Sequence, residues 1–240
     1  MKLSAPLYRL KRQARLLARA KGLPLHAALD QMAAREGFAS WSLLAAKGAP
    51  ALRARDLLAR LRPGDLVLVG ARPGHGKTLL SIELMMEAMK AGRRGAYFTL
   101  EGTRADVTNA FRALGAQESD FTTRFAFDNS DAISADHIMA QMTSAPPGTL
   151  IVVDYLQLLD QKRDKPELMV QIRALKSFAR EKGLTLLFIS QIDRSFDPLK
   201  KPCPDLDDVR LPNPLDLALF DKACFLHQGE VRFRESRPPL

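Results

Sequence analysis

The chain has 240 residues, 46% of them apolar and 26% charged, with a formal net charge of +9; such proportions belong to a folded globular chain and exclude disordered, collagen-like and disulfide-scaffold classes. No apolar run approaches the ~20 residues that cross a bilayer, and two cysteines without metal-ligand spacing, Cys203 and Cys224, fit free thiols in a reducing, cytoplasmic compartment. The charge is lopsided, because residues 1–62 hold 13 Lys/Arg against 3 Asp/Glu while the other 178 hold 23 against 24.

A basic head therefore precedes a near-neutral body, which points to a polyanionic partner, nucleic acid first, with a solubilising face as the plain alternative. The head reads as three short helices. Ser4 is the expected cap of a helix running to about Ala20, with Leu10, Ala14 and Leu17 inward and Arg9, Arg12, Arg15 and Arg19 outward. Basic residues recur from Arg9 onward, so no apolar core of a secretory signal is present there. Pro24 opens a second helix that ends at Gly37, and Ser40 opens a third that ends at Gly48, anchored by Trp41. Such a bundle is marginal by itself, and it reads equally as a helix-turn-helix DNA binder or as a packing module. Residues 1–47 are expected to form this basic module, 48–62 a linker (48–53) and lead-in helix, and 63–240 the main domain.

From there strands and helices alternate. The expected strands are 66–70 (LVLVG), 96–100 (AYFTL), 124–128 (RFAFD), one within 150–159 (LIVVDYLQLL), 185–191 (TLLFISQ), and closing strands in KACFLHQ and VRFR. Helices are expected over 77–91, 103–114, from a Ser134 cap to Met142, and over 167–183 with Gly183 as stop. Repeated β-α units with fully apolar strands give an α/β fold, a mostly parallel sheet with helices on both faces.

The most informative segment is LVLVG-ARPGHGKT, where a strand ends, a Gly-rich turn follows and Gly76-Lys77-Thr78 opens a helix. That order aims successive backbone N–H groups and a helix N-terminus at one point, which suits a phosphate chain. The candidate nucleotide contacts are Ala71, Arg72, Pro73, Gly74, His75, Gly76, Lys77 and Thr78. Lys77 is the reach toward the β- and γ-phosphates and the Thr78 hydroxyl a ligand for Mg²⁺. Asp154 closes the strand LIVVD and is the second metal candidate, with a turn-capping aspartate as the alternative. Glu101 follows AYFTL and is placed to polarise an attacking water, and Gln191 ends TLLFISQ where it can sense the γ-phosphate. His26, His137 and His227 share no ligand pattern in sequence.

Residues 63–78 (PGDLVLVGARPGHGKT), 97–101 (YFTLE), 150–159 (LIVVDYLQLL) and 188–194 (FISQIDR) resemble the ATPase domain of DnaB-type replicative helicases. The likeness runs from about residue 55 to 228 and includes that family's own Ala-Arg-Pro variant of the phosphate loop. It implies a RecA-like P-loop NTPase that uses ATP and Mg²⁺, acts on single-stranded DNA and assembles as a homo-oligomer, a hexamer in that family, with no membrane partner. It further implies Lys77 and Thr78 as nucleotide and metal residues, Glu101 as catalytic base, Asp154 as metal organiser, and Gln191 as the link between γ-phosphate and a DNA-binding loop. Residues 8–46 resemble a short helical module found at the N-terminus of assorted bacterial proteins, which carries no assigned chemistry.

The chain also departs from the helicases. The short basic module stands where they carry a larger helical domain, and the tail offers Arg232, Arg234 and Arg237 with no clear match to their arginine finger. In the loop before the closing strands, Lys200, Lys201 and Arg210 are candidate DNA contacts, but Asp205, Asp207 and Asp208 dilute its charge. The reading is an ATP-dependent helicase or single-strand translocase; the alternative is a regulatory or recombination-type RecA-like ATPase that does not unwind DNA.

Overall fold

The apolar runs build one seven-stranded sheet in the computed structural model, which describes residues 4–5, 7–41, 43–44, 54–121, 123–160, 167–197, 201, 203–211, 213–227 and 230–235. Its strands are β1 (Leu66–Ala71), β2 (Gly95–Thr99), β3 (Phe125–Asp128), β4 (Leu150–Asp154), β5 (Thr185–Gln191), β6 (Lys222–His227) and β7 (Glu230–Glu235), in the order β3-β2-β4-β5-β1-β6-β7. The pairs β1–β5, β1–β6, β2–β3, β2–β4 and β4–β5 are all parallel. β1 and β4 are buried at every position and β5 at all but its last, as expected of strands covered on both faces.

Side chains alternate across the sheet. Leu68, Phe98, Val153, Phe188 and Phe225 share one core with Ile138, Ile172 and Leu175 of the helices Ala135–Met142 and Leu168–Lys182. The opposite face is covered by the helix Lys77–Lys90, which packs against β1, β2, β4 and β5 and buries Leu84, Met85, Met86 and Met89. The parity matters for function. It puts Tyr97, Thr99, Asp154 and Gln191 on the same face as that helix, the last three at C-terminal strand ends.

The chain divides into two compact units, residues 1–51 with 227–231 and residues 52–226 with 232–240. In the first, α1 (Leu7–Lys21) and α2 (Leu25–Arg35) bury Leu10, Ala14, Met32 and Ala33 together with Leu44. Ser4 is not where the sequence puts it. The helix begins three residues later, and the Ser4 N–H and hydroxyl both donate to the Glu36 carboxylate. Residues 41, 43 and 44 are helical; the rest of the expected third helix, the linker 48–53, Lys200 and Arg237 lie outside the described residues. The expected cap Ser134 accepts from the His137 N–H, and Gly183 closes its helix at φ 66°. The apolar run 150–159 ends as strand at Asp154 and continues as a 3-10 turn, Leu156–Asp160, that keeps Leu156 and Leu159 buried.

Candidate active site

The ends of β2 and β4 and one helix start line a single cleft, and β1 and β5 end on the same edge of the parallel sheet. β1 ends at Ala71, the chain turns through Arg72–His75, and the helix Lys77–Lys90 starts behind Gly76. Gly74 and Gly76 adopt φ 77° and 86°, a region costly for other residues, and a Cβ built on either would have no atom within 4 Å. The backbone of the turn therefore faces open space. No side chain caps the helix, so its first N–H groups, with the positive end of the helix dipole, are turned toward that space.

The neighbouring strand ends supply the charged groups. Asp154 is 4% exposed. Its Oδ2 accepts from the Tyr97 hydroxyl at 2.6 Å and the Thr78 hydroxyl at 3.3 Å, while its Oδ1 is buried without a hydrogen-bond partner. The peptide between Asp154 and Tyr155 is cis. Burial raises the Asp154 pKa, and Tyr97, Lys77 and Thr78 offset only part of that rise. Glu101 stands at the exposed mouth, its N–H bonded to Thr99 Oγ1 at 3.0 Å. Its carboxyl is also shifted up, by partial burial first and the Asp154 charge second, against Lys77. Thr78, Tyr97, Thr99, Glu101 and Asp154 line a cleft of about 180 Å³.

Gln191 lies beside Ala71 in the β1–β5 register, and its Oε1 faces Arg210 Nη1 at 3.5 Å. Arg72 is engaged by the segment that follows β5. Its guanidinium donates to the Arg194 carbonyl at 3.2 Å and to the Phe196 carbonyl, and sits 5.2 Å from the centre of the Phe196 ring. The phosphate loop is thus tied to the segment that follows β5. The 3-10 turn after β4 is tied to the same region, because Gln157 Nε2 donates to Ser190 Oγ at 3.2 Å and to the Arg210 carbonyl at 2.6 Å. Lys201 forms ion pairs with Asp205 at 2.6 Å and Asp208 at 2.9 Å, so the basic and acidic residues of that loop offset one another.

Sequence reasoning passed over Tyr97, which lines the cleft and bonds Asp154, and Gln157, which braces the loop beyond β5. Tyr97 carried a readable signal, since a tyrosine inside an apolar strand must find a partner for its hydroxyl. His137 pairs with Asp128 at 2.7 Å and packs edge-on against Phe98, apart from any metal pattern. Among the described residues no group of three or more His, Cys, Asp or Glu could hold a metal ion by itself. Cys203 and Cys224 are buried and in no disulfide, and burial pushes the Cys224 thiol up to about 12.

Residues 56–202, more than half of the sequence, match the model of the ATPase family described as KaiC. The chain belongs to the KaiC ATPase family. Within that setting it is similar to replicative DNA helicases DnaB. It is 26% identical over 217 residues to that of Mycoplasma pneumoniae, covering 75% of this chain and 46% of the helicase. Against that of Helicobacter pylori strain J99 it is 25% identical over 206 residues, covering 69% and 41%. The chain thus spans about half the length of the curated relatives it matches. Among solved structures, an ATPase domain superposes with a TM-score of 0.56 at 20% identity over 70% of both chains. A DnaB-like replicative helicase studied with primase gives 0.54 at 18% identity over 68% of this chain and 47% of the other. These superpositions identify the fold as RecA-like, as the sheet order and the phosphate-loop position suggest. No helix among the described residues is long and apolar enough to cross a membrane.

Proposed function

We propose that this chain is an ATP-driven motor of the DnaB type, a helicase or single-strand translocase that works as a homo-oligomer in the cytoplasm. One observation carries the proposal: a buried aspartate with an orphaned oxygen stands beside the Thr78 hydroxyl, at the mouth of a loop whose glycines leave room for phosphates. A buried acceptor without a partner is a destabilised arrangement that a cation would relieve. Thr78 and Asp154 would hold Mg²⁺, and the turn 71–78 with Lys77 would hold the phosphates of ATP. Bound there, the nucleotide supplies the phosphoryl group to be transferred and the metal offsets its charge.

The chain's own residues then have distinct tasks. Tyr97 holds the Asp154 carboxylate in place. Lys77 stabilises negative charge at the phosphates. Glu101, whose pKa is raised by partial burial and by the Asp154 charge, is suited to orient a water and take its proton. Gln191, held next to Arg210, is positioned to pass the state of the site to the loop beyond β5. Residues 1–47 form an appended basic module on the ATPase domain, 63–240.

A second reading, an ATPase that does not unwind DNA, is favoured by the ion pairs of Lys201 with Asp205 and Asp208, which leave that loop short of positive charge. Steady-state ATP hydrolysis with and without single-stranded DNA, with Lys77→Ala as the blank, separates the two. Stimulation by DNA is the expected result. Hydrolysis indifferent to DNA supports the second reading, and none above the blank overturns both.

A further inference from the structure

The first helix presents a charged face that the nucleotide site does not use. α1 carries six basic residues in 15 and no acidic one. The core fixes their direction. Leu10 and Ala14 are 1% and 0% exposed and pack with Met32, Ala33 and Leu44. At about 100° per residue, Arg9, Arg12, Arg15 and Arg19 fall within an arc of about 120° opposite that apolar stripe, and all four are exposed. Along the axis the four span about 15 Å, at about 1.5 Å per residue.

The acids in the helical part of this unit are engaged elsewhere. Within residues 1–51 the acidic residues are Asp30 and Glu36. Asp30 accepts from the Trp41 N–H at 2.9 Å, and Glu36 accepts from the Ser4 N–H at 2.9 Å and from the Ser4 hydroxyl. The contrast with Lys201, tied to two aspartates, is direct.

We infer that the Arg12–Arg15–Arg19 face binds the phosphate backbone of nucleic acid, independently of nucleotide. Guanidinium forks match phosphate oxygens in pairs. Backbone binding needs charge at the right spacing and no helix that reads bases. An anionic bilayer fits the face poorly. Basic helices bind bilayers through their apolar side, and here that side is consumed by the core, leaving Leu16, 57% exposed, as the one described large apolar side chain among the arginines.

The test is fluorescence anisotropy of the full chain, without nucleotide, on a labelled single strand and on its duplex across a series of KCl concentrations. The wild type is compared with the triple variant Arg12→Ala/Arg15→Ala/Arg19→Ala, in which alanine preserves helix propensity. An Arg-to-Gln triple at the same positions provides a second variant, and circular dichroism checks that each stays helical. Loss of three phosphate contacts is expected to lower the slope of log K against log[KCl] by about 2 on a single strand or about 3 on a duplex, and to weaken low-salt binding at least ~10-fold. The substrate whose slope falls by its own full expected value, about 2 for the single strand or about 3 for the duplex, identifies the natural one. Unchanged affinity and slope in both folded triple variants overturns the inference, as does binding to phosphatidylserine vesicles with none to either DNA. Failure of the motor reading looks different: DNA still binds through this face, but hydrolysis ignores it.

Discussion

Replacing Asp154 by asparagine is expected to make the protein more stable without nucleotide and less stable with it. The carboxylate is 4% exposed, with Oδ2 bonded to Tyr97 and Thr78 and Oδ1 left without a hydrogen-bond partner. Its pKa is raised in the fold, burial outweighing its three favourable neighbours. The sign follows from linkage. An acid with a higher pKa in the folded than in the unfolded chain binds its proton more tightly when folded. Its ionised form therefore destabilises the fold at neutral pH, and that penalty fades as pH falls through the folded value. A buried acceptor without a partner costs ~1–3 kcal/mol. Asparagine keeps an acceptor for Tyr97 but leaves a neutral amide in the partnerless position, so the gain falls in the lower part of that range, ~1–2 kcal/mol. At ~2–4 °C per kcal/mol for a chain of this size, the variant melts about 2–8 °C above wild type near pH 8 without Mg²⁺ or nucleotide. The difference shrinks toward mild acid. Saturating Mg-ATP reverses the order, because ligand at 100 times its Kd stabilises the wild type by about 2.7 kcal/mol and the variant has lost the anionic oxygen. Thermal melts at several pH values, with and without Mg-ATP, report all three effects. A ligand-free variant that melts below wild type near pH 8 would refute the claim that Asp154 is held charged at a cost.

Three further outcomes are expected. Tyr97→Phe removes the 2.6 Å donor to Asp154, a bond to a charged group of the kind worth ~1.5–3 kcal/mol; calorimetry should show Mg-ATP binding weakened about tenfold or more in mild acid and less in alkali, and pH-independent binding would count against it. Arg72→Ala and Arg72→Lys both lose the paired donation to the Arg194 and Phe196 carbonyls, so DNA stimulation of hydrolysis should fall on the order of tenfold while the KM for ATP stays within a few fold; a large rise in KM alone would make Arg72 a nucleotide contact instead. Gly70→Ala places a methyl 2.8 Å from Phe225 Cε1 and 3.1 Å from Ile192 Cδ1, and overpacking of this kind costs ~1–3 kcal/mol, so a melting temperature equal to wild type would contradict the packing described.

The strands were legible because burial on both faces leaves an unmistakable mark, an unbroken apolar run such as LVLVG or TLLFISQ. Helix ends were legible where the cap is local, as at Ser134 and Gly183. Ser4 misled because its partner, Glu36, lies 32 residues away and competes with the local cap. The run 150–159 hid the boundary between strand and 3-10 turn, since Leu156 and Leu159 are as buried as the strand itself. In the site, the phosphate loop and the strand-end carboxylates were visible as types in order. The bonds of Arg72 to the segment after β5 and the bond from Tyr97 to Asp154 were not, because each depends on which strand lies beside which, β5 beside β1 and β4 beside β2; the pairing of Lys201 is local but depends on how its irregular loop folds back.

The central claim is that Glu101 completes an ATP-hydrolysing site built on the turn 71–78 and Asp154. Single-turnover hydrolysis and nucleotide binding by Glu101→Gln test it most directly. A general base contributes ~10²–10⁴ in rate, so hydrolysis is expected to fall by at least ~100-fold while Mg-ATP still binds within a few fold of wild type. A variant that hydrolyses ATP at the wild-type rate contradicts the account.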